Sequence, residues 1–256
     1  MTQSQSTPVA LITGASRGLG KSIALHLAER GVDSIITYKS GAADAEAVAA
    51  QIAQHGRRAA ALPLDVGRSD SFDDFTARVR AELERTWRPP RFDYLVNNAG
   101  VGLHAGLAET TEAQFDALLN VHFKGPFFLT QKLLPWIEDG GRILNISTGL
   151  ARFTFPGYGA YASMKGAVEV FTRYLAKELG PRRITVNTLA PGAIATDFNG
   201  GAVRDNPAIN QAVAATIALG RVGLPEDIGA AASLLLSPEG GWITGQRIEV
   251  SGGQML

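Results

Sequence analysis

Tyr161 and Lys165 stand four residues apart in a stretch that reads as an amphipathic helix running to Leu179. On a helix, positions four apart share one face about a turn apart, so a phenol and an ammonium come to lie side by side. Such a pair is an acid/base couple. At roughly 4 Å and an effective dielectric near 20, the ammonium favours a neighbouring phenolate by about 4 kcal/mol. At about 1.36 kcal/mol per unit, this draws a phenol from its ordinary pKa of about 10 toward neutrality, against the opposite push of burial. Upstream, the hydroxyls of Ser147 and Thr148 follow an apolar run at residues 142–146, and a loop carrying Phe153, Phe155 and Tyr158 leads into the helix. A Tyr and a Lys at this spacing also occur by chance on surface helices, so the rest of the chain decides what the pair means.

A second stretch, Thr13-Gly14-Ala15-Ser16-Arg17-Gly18-Leu19-Gly20, follows an apolar run at residues 9–13 and opens a helix at residues 21–30. Gly at 14, 18 and 20 permits a tight turn and a close approach of backbone to a pyrophosphate, whose charge a helix N-terminus favours. Its place between a strand and a helix is the context that gives a glycine-rich turn this meaning. Other chemistries find less support. The chain has no Cys, which excludes disulfides, thiolate catalysis and Cys-ligated zinc and fits a cytoplasmic protein. His26, His55, His104 and His122 lack ligand spacing, so no metal is expected. Ser16 and Ser163 lack a Gly-x-Ser-x-Gly frame, and Tyr158 is followed four residues later by Ala162 instead of Lys. Tyr158 therefore reads as a pocket wall.

The elements that must position these residues alternate. Short apolar runs at residues 9–13, 34–38, 59–64, 92–96, 142–146, 184–189 and 247–250 read as strands. Between them lie helical patterns at residues 21–30, 43–54 and from a cap at Ser69 to about Arg85, then a long stretch opened by the Thr111/Gln114 capping box that passes Asn120 and Phe128 toward Trp136. The Tyr161 helix follows, and a last helix starts at Pro225-Glu226-Asp227. Repeated alternation argues for an α/β fold, a parallel sheet covered on both faces with right-handed crossovers. Ligands in such sheets bind beyond the carboxyl ends of strands, where Gly14, Lys39, Asp65, Asn97, Thr148 and Gly192 all fall. A segment at about residues 191–218, rich in Gly, Ala, Asn and Asp and without clear period, reads as a lid.

Composition sets the frame. The 256 residues are 45% hydrophobic and 19% charged, the balance of a globular chain rather than a disordered one. Lys+Arg and Asp+Glu both count 24, so net charge advertises neither a nucleic-acid nor an anionic-membrane partner. No run approaches a transmembrane length, and residues 1–8 are polar and read as a loose tail before a single domain at residues 9–256.

Taken together, Thr-Gly-x-x-x-Gly-x-Gly at 13–20, Asn97-Asn98-Ala99-Gly100, Asn120, Tyr161-x-x-x-Lys165 and Pro191-Gly192, in that order, resemble the compact short-chain dehydrogenase/reductases, in the 3-oxoacyl-carrier-protein reductase-like branch. The enoyl-reductase branch is disfavoured, because its Tyr and Lys are spaced more widely. The resemblance covers residues 9–253 and implies a single-domain Rossmann-type doubly wound parallel sheet of about seven strands. It implies a hydride exchanged between a nicotinamide and a ketone or secondary alcohol, with Tyr161 as general acid/base, Lys165 lowering its pKa and Asn120 completing a proton path. The usual Ser thirteen positions before the Tyr is replaced by Thr148, which keeps the hydroxyl but adds a stiffening methyl. Strand alternation turns Ser147 to the other side.

The resemblance also distributes the cofactor. Gly14, Ser16, Arg17, Gly18, Leu19 and Gly20 would hold the pyrophosphate, Asp65 and Val66 the adenine, and Asn97, Ala99 and Gly100 the ribose. Tyr161 and Lys165 would meet the nicotinamide ribose, and Pro191, Gly192, Ile194 and Thr196 the carboxamide. An NAD enzyme usually carries an acid at the end of the second strand. Here stand Tyr38, Lys39 and Ser40, with no acid before Asp44, and Arg17 sits within the glycine-rich turn; two cations and a hydroxyl suit a 2'-phosphate, so NADP(H) is expected. His104, Phe153, Phe155, Tyr158 and Phe198 would line a partly apolar substrate pocket, and no basic cluster beyond Arg152 suggests a carrier-protein surface. A homo-oligomer, tetramer or dimer, is the family default. The alternative is a catalytically decayed dinucleotide-binding sensor or scaffold, supported only by Thr148.

Overall fold

Strand β1 (Val9–Ile12) is buried over its whole length, as an unbroken apolar run requires when both sheet faces are covered. Around it the computed structural model, which describes residues 7–87 and 89–256, places β2 (Asp33–Tyr38), β3 (Ala59–Pro63), β4 (Phe92–Asn97), β5 (Ile137–Ile146), β6 (Thr185–Pro191) and β7 (Arg247–Val250). All pair in parallel, in the order β3-β2-β1-β4-β5-β6-β7. The order reverses between β1 and β4, whose Leu11 and Leu95 stand in register. A doubly wound sheet opens a crevice at such a switch point, and the glycine-rich turn lies there. Of the tail expected at residues 1–8, residues 1–6 lie outside the described residues, and Pro8 is tied down, its carbonyl accepting from the Asp33 amide at 2.9 Å.

Helices cover both faces. On one, α1 (Gly18–Glu29), α2 (Ala42–Gln54) and α9 (Pro225–Leu235) bury Ile23, Leu27, Val48, Ile52 and Ile228 against the sheet. On the other, α3 (Phe72–Thr86), α5 (Gly125–Leu133) and α6 (Gly159–Leu179) bury Phe75, Leu83, Leu129, Phe171 and Leu175. A small third cluster of Leu118 from α4 (Glu112–Leu119) with Tyr161 and Met164 floors the site.

Several expectations are met by the observed chemistry and others are corrected. The Thr111/Gln114 capping box forms with both hydrogen bonds, 3.2 and 3.0 Å. Ser69 does not cap α3: residues Ser69–Ser71 form a 3-10 turn, and α3 begins at Phe72 without a side-chain cap. The continuous helix through Asn120 is instead two α-helices joined by a π-turn, Asn120–Lys124. β5 starts earlier than its apolar run, at Ile137, and its pairing with β4 shifts register between Phe92 and Tyr94, because Gly140, at φ +84°, lets the polar residues 138–141 loop out. The segment expected to be irregular holds two short helices, α7 (Ala202–Asp205) and α8 (Pro207–Ala214), the second started by Asn206 and Pro207.

Beneath the strand ends lies a buried polar ladder. Asn97 Nδ2 donates to Thr130 Oγ1 at 3.1 Å and Asn145 Oδ1 at 2.8 Å; Asn145 Nδ2 donates to Thr172 Oγ1 at 2.9 Å, which also receives the Thr188 hydroxyl at 2.8 Å. It ties β4, β5 and β6 to α5 and α6 directly under the site. Removing one member leaves the others buried without partners, the costly half of the hydrogen-bond asymmetry. Asn145→Leu is expected to lower unfolding free energy by about 2–3 kcal/mol in urea titrations; a loss below about 0.5 kcal/mol, the scatter of neutral surface changes, would show that the ladder does not hold the sheet.

Candidate active site

Four strand ends and one helix build the site. After β1, Gly14 turns at φ +64° and Gly18 at φ +56°. A Cβ on Gly14 would stand 2.9 Å from the Ala99 Cα, and one on Gly20 would stand 2.5 Å from the Gly14 carbonyl oxygen. The turn is therefore compressed to a size only glycine fits. Thr13 and Asn98 fasten it: the Asn98 and Ala99 amides both donate to Thr13 Oγ1 at 3.0 Å, and Asn98 Nδ2 donates to the Thr13 and Gly14 carbonyls at 2.9 and 3.0 Å. Arg17, the residue capping α1, supplies no side-chain acceptor, so the first amides of the helix point outward uncapped. An anion is the natural complement of that cradle.

The expected cofactor residues fall along one rim but not all with free side chains. Ser16, Leu19, Tyr38, Ser40, Val66, Gly100, Pro191, Gly192, Ile194 and Thr196 follow or end β1 to β6, with Thr196 beside Gly18. Asn97 is different, because its Nδ2 donates into the buried ladder while its Oδ1 is buried without a partner, so it supports the site from below. Lys39 Nζ pairs with Asp65 Oδ2 at 2.8 Å, and Arg17 reaches Asp197 of the lid at 3.9 Å. Both cations expected to meet a phosphate thus rest on acids. Asp197 is shared with Arg204 of the lid, which joins lid and turn.

The chemical groups are buried. Tyr161 is 7% and Lys165 5% exposed. The Thr148 hydroxyl lies close enough to the phenol to draw its titration downward. Ser147 faces away, its hydroxyl donating to Glu169 Oε1 at 2.7 Å, as strand alternation requires. Lys165 Nζ donates to the Ile146 carbonyl oxygen at 2.7 Å and lies 5.9 Å from the Tyr161 ring centre. The simple expectation of a lysine-lowered phenol is corrected here. Burial pushes the phenol above its ordinary value of 10.0, with the Thr148 hydroxyl pulling down. Burial also pushes the Lys165 ammonium down from 10.5 to about 8. The main-chain carbonyl attracts the ammonium, so in the chain itself the phenol stays an acid.

One expected residue is carried by an element the sequence did not suggest, and one further residue enters that sequence reasoning missed. Asn120 opens the π-turn Asn120–Lys124, and the turn is followed by Gly125, where a Cβ would stand 2.3 Å from the Val66 carbonyl oxygen. His122 sits inside the turn with its ring edge-on to Tyr161 at 5.1 Å and its Nε2 2.7 Å from the Val101 carbonyl oxygen. Burial, then the Lys165 charge, pushes it down to about 3, so it packs as a neutral ring. Spacing gave no signal for it, since the contact depends on the π-turn.

The expected substrate wall divides. His104 and Tyr158 stack edge-on at 5.0 Å, Phe198 of the lid lies 5.9 Å from Tyr161, and Asn199 Nδ2 donates to the Tyr158 hydroxyl at 3.4 Å. Of the expected wall, Phe198 is thus beside Tyr161, and His104 and Tyr158 pack on each other. Phe153 instead packs on Gly149 under Arg152, and Phe155 lines a separate hollow of about 850 Å³ with Leu107, Phe115 and Pro156. Among the described residues no group of three or more His, Cys, Asp or Glu side chains is placed to hold a metal ion, and no helix is long and apolar enough to cross a membrane.

A family model described as Enoyl-(Acyl carrier protein) reductase matches residues 14–255. The chain belongs to the short-chain dehydrogenase/reductase family. Within that family it is 38% identical to the tetrahydroxynaphthalene reductase PfmaG of Pestalotiopsis fici, over 96% of this chain and 90% of that one. Two solved reductase structures superpose closely. The promiscuous reductase LugOII, which catalyses keto-reduction at C1 during lugdunomycin biosynthesis, gives a TM-score of 0.93 at 37% identity, covering 99% of each chain. The angucycline C-6 ketoreductase LanV with bound NADP gives 0.92 at 36% identity, covering 98% of this chain and 96% of that one.

Because Lys165 is depressed in the fold, the folded state resists its protonation. The unfolded chain binds the proton more readily between about pH 8 and 10.5, so the burial penalty is full below pH 8 and fades as pH rises to 10.5. Lys165→Met is therefore expected to be more stable than wild type at pH 7 by about 1–3 kcal/mol, the advantage shrinking above pH 8. A less stable variant at pH 7 in thermal unfolding would contradict this electrostatic picture.

Proposed function

We propose that the protein is an NADP(H)-dependent ketoreductase whose substrate is a planar aromatic ketone or the corresponding secondary alcohol, with Tyr161 as general acid/base. The observation that carries it is the buried Tyr161 phenol with the Thr148 hydroxyl near it and Lys165 one turn away, in a chain whose glycine-rich turn leaves no room for a Cβ at Gly14 or Gly20. The named activities of PfmaG, LugOII and LanV, and the NADP bound by LanV, support both cofactor and reaction. LanV has also been seen with rabelomycin, and the flat faces of His104, Tyr158 and Phe198 suit a fused-ring substrate.

Gly14, Gly18 and Gly20 with the open end of α1 would hold the pyrophosphate, and Lys39 the 2'-phosphate. Lys39 is 71% exposed, so its bond to Asp65 is of the weak surface kind and readily exchanged for a phosphate. Bound NADPH supplies the hydride. The chain's own residues orient the carbonyl and move the proton. The Thr148 and Tyr161 hydroxyls hold the carbonyl oxygen from one side; Tyr161 gives its proton to that oxygen as negative charge develops on it; Lys165, near its titration point at neutral pH, restores the proton. Asn120 would hold a water that links Lys165 to solvent, and His122 packs edge-on against the phenol. In oxidation the same proton returns to Tyr161. We also carry forward a cytoplasmic, homo-oligomeric enzyme, tetramer or dimer, with exposed Phe115, Phe127, Phe128 and Tyr174 as support for association.

Following NADPH oxidation with tetrahydroxynaphthalene and rabelomycin, Tyr161→Phe is expected to lower kcat by about 10² to 10⁴; undiminished turnover would exclude the mechanism. Lys39→Asp is expected to shift the kcat/KM ratio of NADPH to NADH by about 10-fold or more toward NADH, from loss of a charge-assisted phosphate contact. A wild-type preference for NADH would overturn the cofactor assignment.

A further inference from the structure

Thr148 lies beyond the end of the strand ladder. The last ladder bond is the Ser147 amide to the Leu189 carbonyl at 2.8 Å, and Thr148 continues extended, at φ −160° and ψ 152°, into the active site. Its hydroxyl receives the Leu150 amide at only 3.3 Å, and its carbonyl the Ala151 amide also at 3.3 Å. These are weak local ties for a hydroxyl that must meet both a phenol and a substrate oxygen. The firmer tie comes from two strands away. Arg247, on β7, reaches past β6 and donates from Nη2 to the Thr148 carbonyl oxygen at 3.1 Å.

The guanidinium is itself clamped. Its Nε donates to Glu169 Oε1 on α6 at 2.8 Å, and its Nη1 to Glu249 Oε2 on β7 at 2.9 Å. Glu169 Oε1 also takes the Ser147 hydroxyl, so adjacent residues 147 and 148 are gripped through one carboxylate and one guanidinium. Glu249 is held in turn by Arg152, whose Nε and Nη2 donate to its two oxygens at 2.7 and 2.8 Å. Two cations and two anions balance, each acid sharing its oxygens between partners, so the network carries no surplus charge. Only arginine presents a planar fork able to serve a carbonyl and two carboxylates at once.

We propose that Arg247 is a positioning residue of the reductase: through the Thr148 carbonyl it fixes the rotation of the Thr148 backbone, and so aims the hydroxyl at Tyr161. This rests on the ketoreductase reading for its effect on rate, and on geometry alone for its effect on Thr148. Arg247 touches neither Tyr161 nor Lys165. It acts only through Thr148.

A double-mutant cycle tests this, because two residues acting in series are not additive. In the otherwise wild-type enzyme, Arg247→Met is expected to lower kcat by about 10- to 100-fold, as small misplacements of reacting groups do, with KM for NADPH little changed. In a Thr148→Ala background the same change is expected to cost less than about twofold. Arg247→Lys keeps the charge without the fork and is expected to fall between; it also serves if the Met variant folds poorly. Equal losses in both backgrounds, or an unchanged kcat, would overturn the proposal. The readout independent of turnover is the Thr148 methyl resonance in methyl-labelled protein. It is expected to move in Arg247→Lys while the buried Thr130 methyl does not; a stationary Thr148 signal would overturn the proposal. If no ketone is turned over by wild type, the ketoreductase reading falls, and the methyl resonance still decides whether Arg247 positions Thr148.

Discussion

The hydrogen bond from Lys165 Nζ to the Ile146 carbonyl oxygen, at 2.7 Å, holds a cation where burial leaves it little water. A lone buried ammonium is costly, and one main-chain acceptor offsets only part of that cost. The fold accepts it because the acceptor is the last residue of β5, the strand that delivers Thr148, and the donor is one turn beyond Tyr161 on α6. One bond therefore locks strand end to helix. Register between the two fixes the phenol beside the threonine hydroxyl. It also explains why Tyr161 remains an acid in the chain itself: the ammonium is turned to the carbonyl, and burial raises the phenol.

The remaining structure supplies surfaces that meet at this point. The switch between β1 and β4 opens the crevice, and the Thr13/Asn98 fastening narrows it to glycine dimensions. The buried Asn97–Asn145–Thr172 ladder prevents the strand ends from sliding past one another, which sheet hydrogen bonds alone do not ensure near their ends. The segment after β6 places Phe198 near the phenol and Asp197 near Arg17, so one stretch of chain touches both the glycine-rich turn and Tyr161. Family membership accounts for this plan. Within that plan, the Thr148 carbonyl receives the Arg247 guanidinium from two strands away.

Much of this was legible in the sequence because the relevant physics is local. Gly14, Gly18 and Gly20 are required by backbone geometry; Tyr161 and Lys165 share a face by helix period; Ser147 and Thr148 diverge by strand period. What escaped depends on contacts distant in sequence. Asn97 was assigned to the cofactor by its motif, but its amide is drawn to Asn145, 48 residues away. Lys165 was expected to act on the phenol, but a carbonyl competes for it, and no side-chain pattern announces a backbone acceptor. The π-turn at Asn120 ends where the chain passes close to the Val66 carbonyl at Gly125, a contact between distant segments that a continuous helical pattern does not announce. Ser69 has the right chemistry for a cap, yet the 3-10 turn after it uses up the position.

The central claim is that the folded chain itself holds Tyr161 as a protonated acid beside a lysine titrating near neutrality. Carbon NMR titration of protein labelled at tyrosine Cζ and lysine Cε, without cofactor, measures both groups in one experiment, with Tyr161→Phe and Lys165→Met assigning the signals. The account predicts that the Tyr161 carbon shows no ionisation up to its ordinary pKa of 10.0, and that the Lys165 carbon titrates at about 8. A Tyr161 phenol ionising below 10.0, or a Lys165 titrating at its ordinary 10.5, would contradict it.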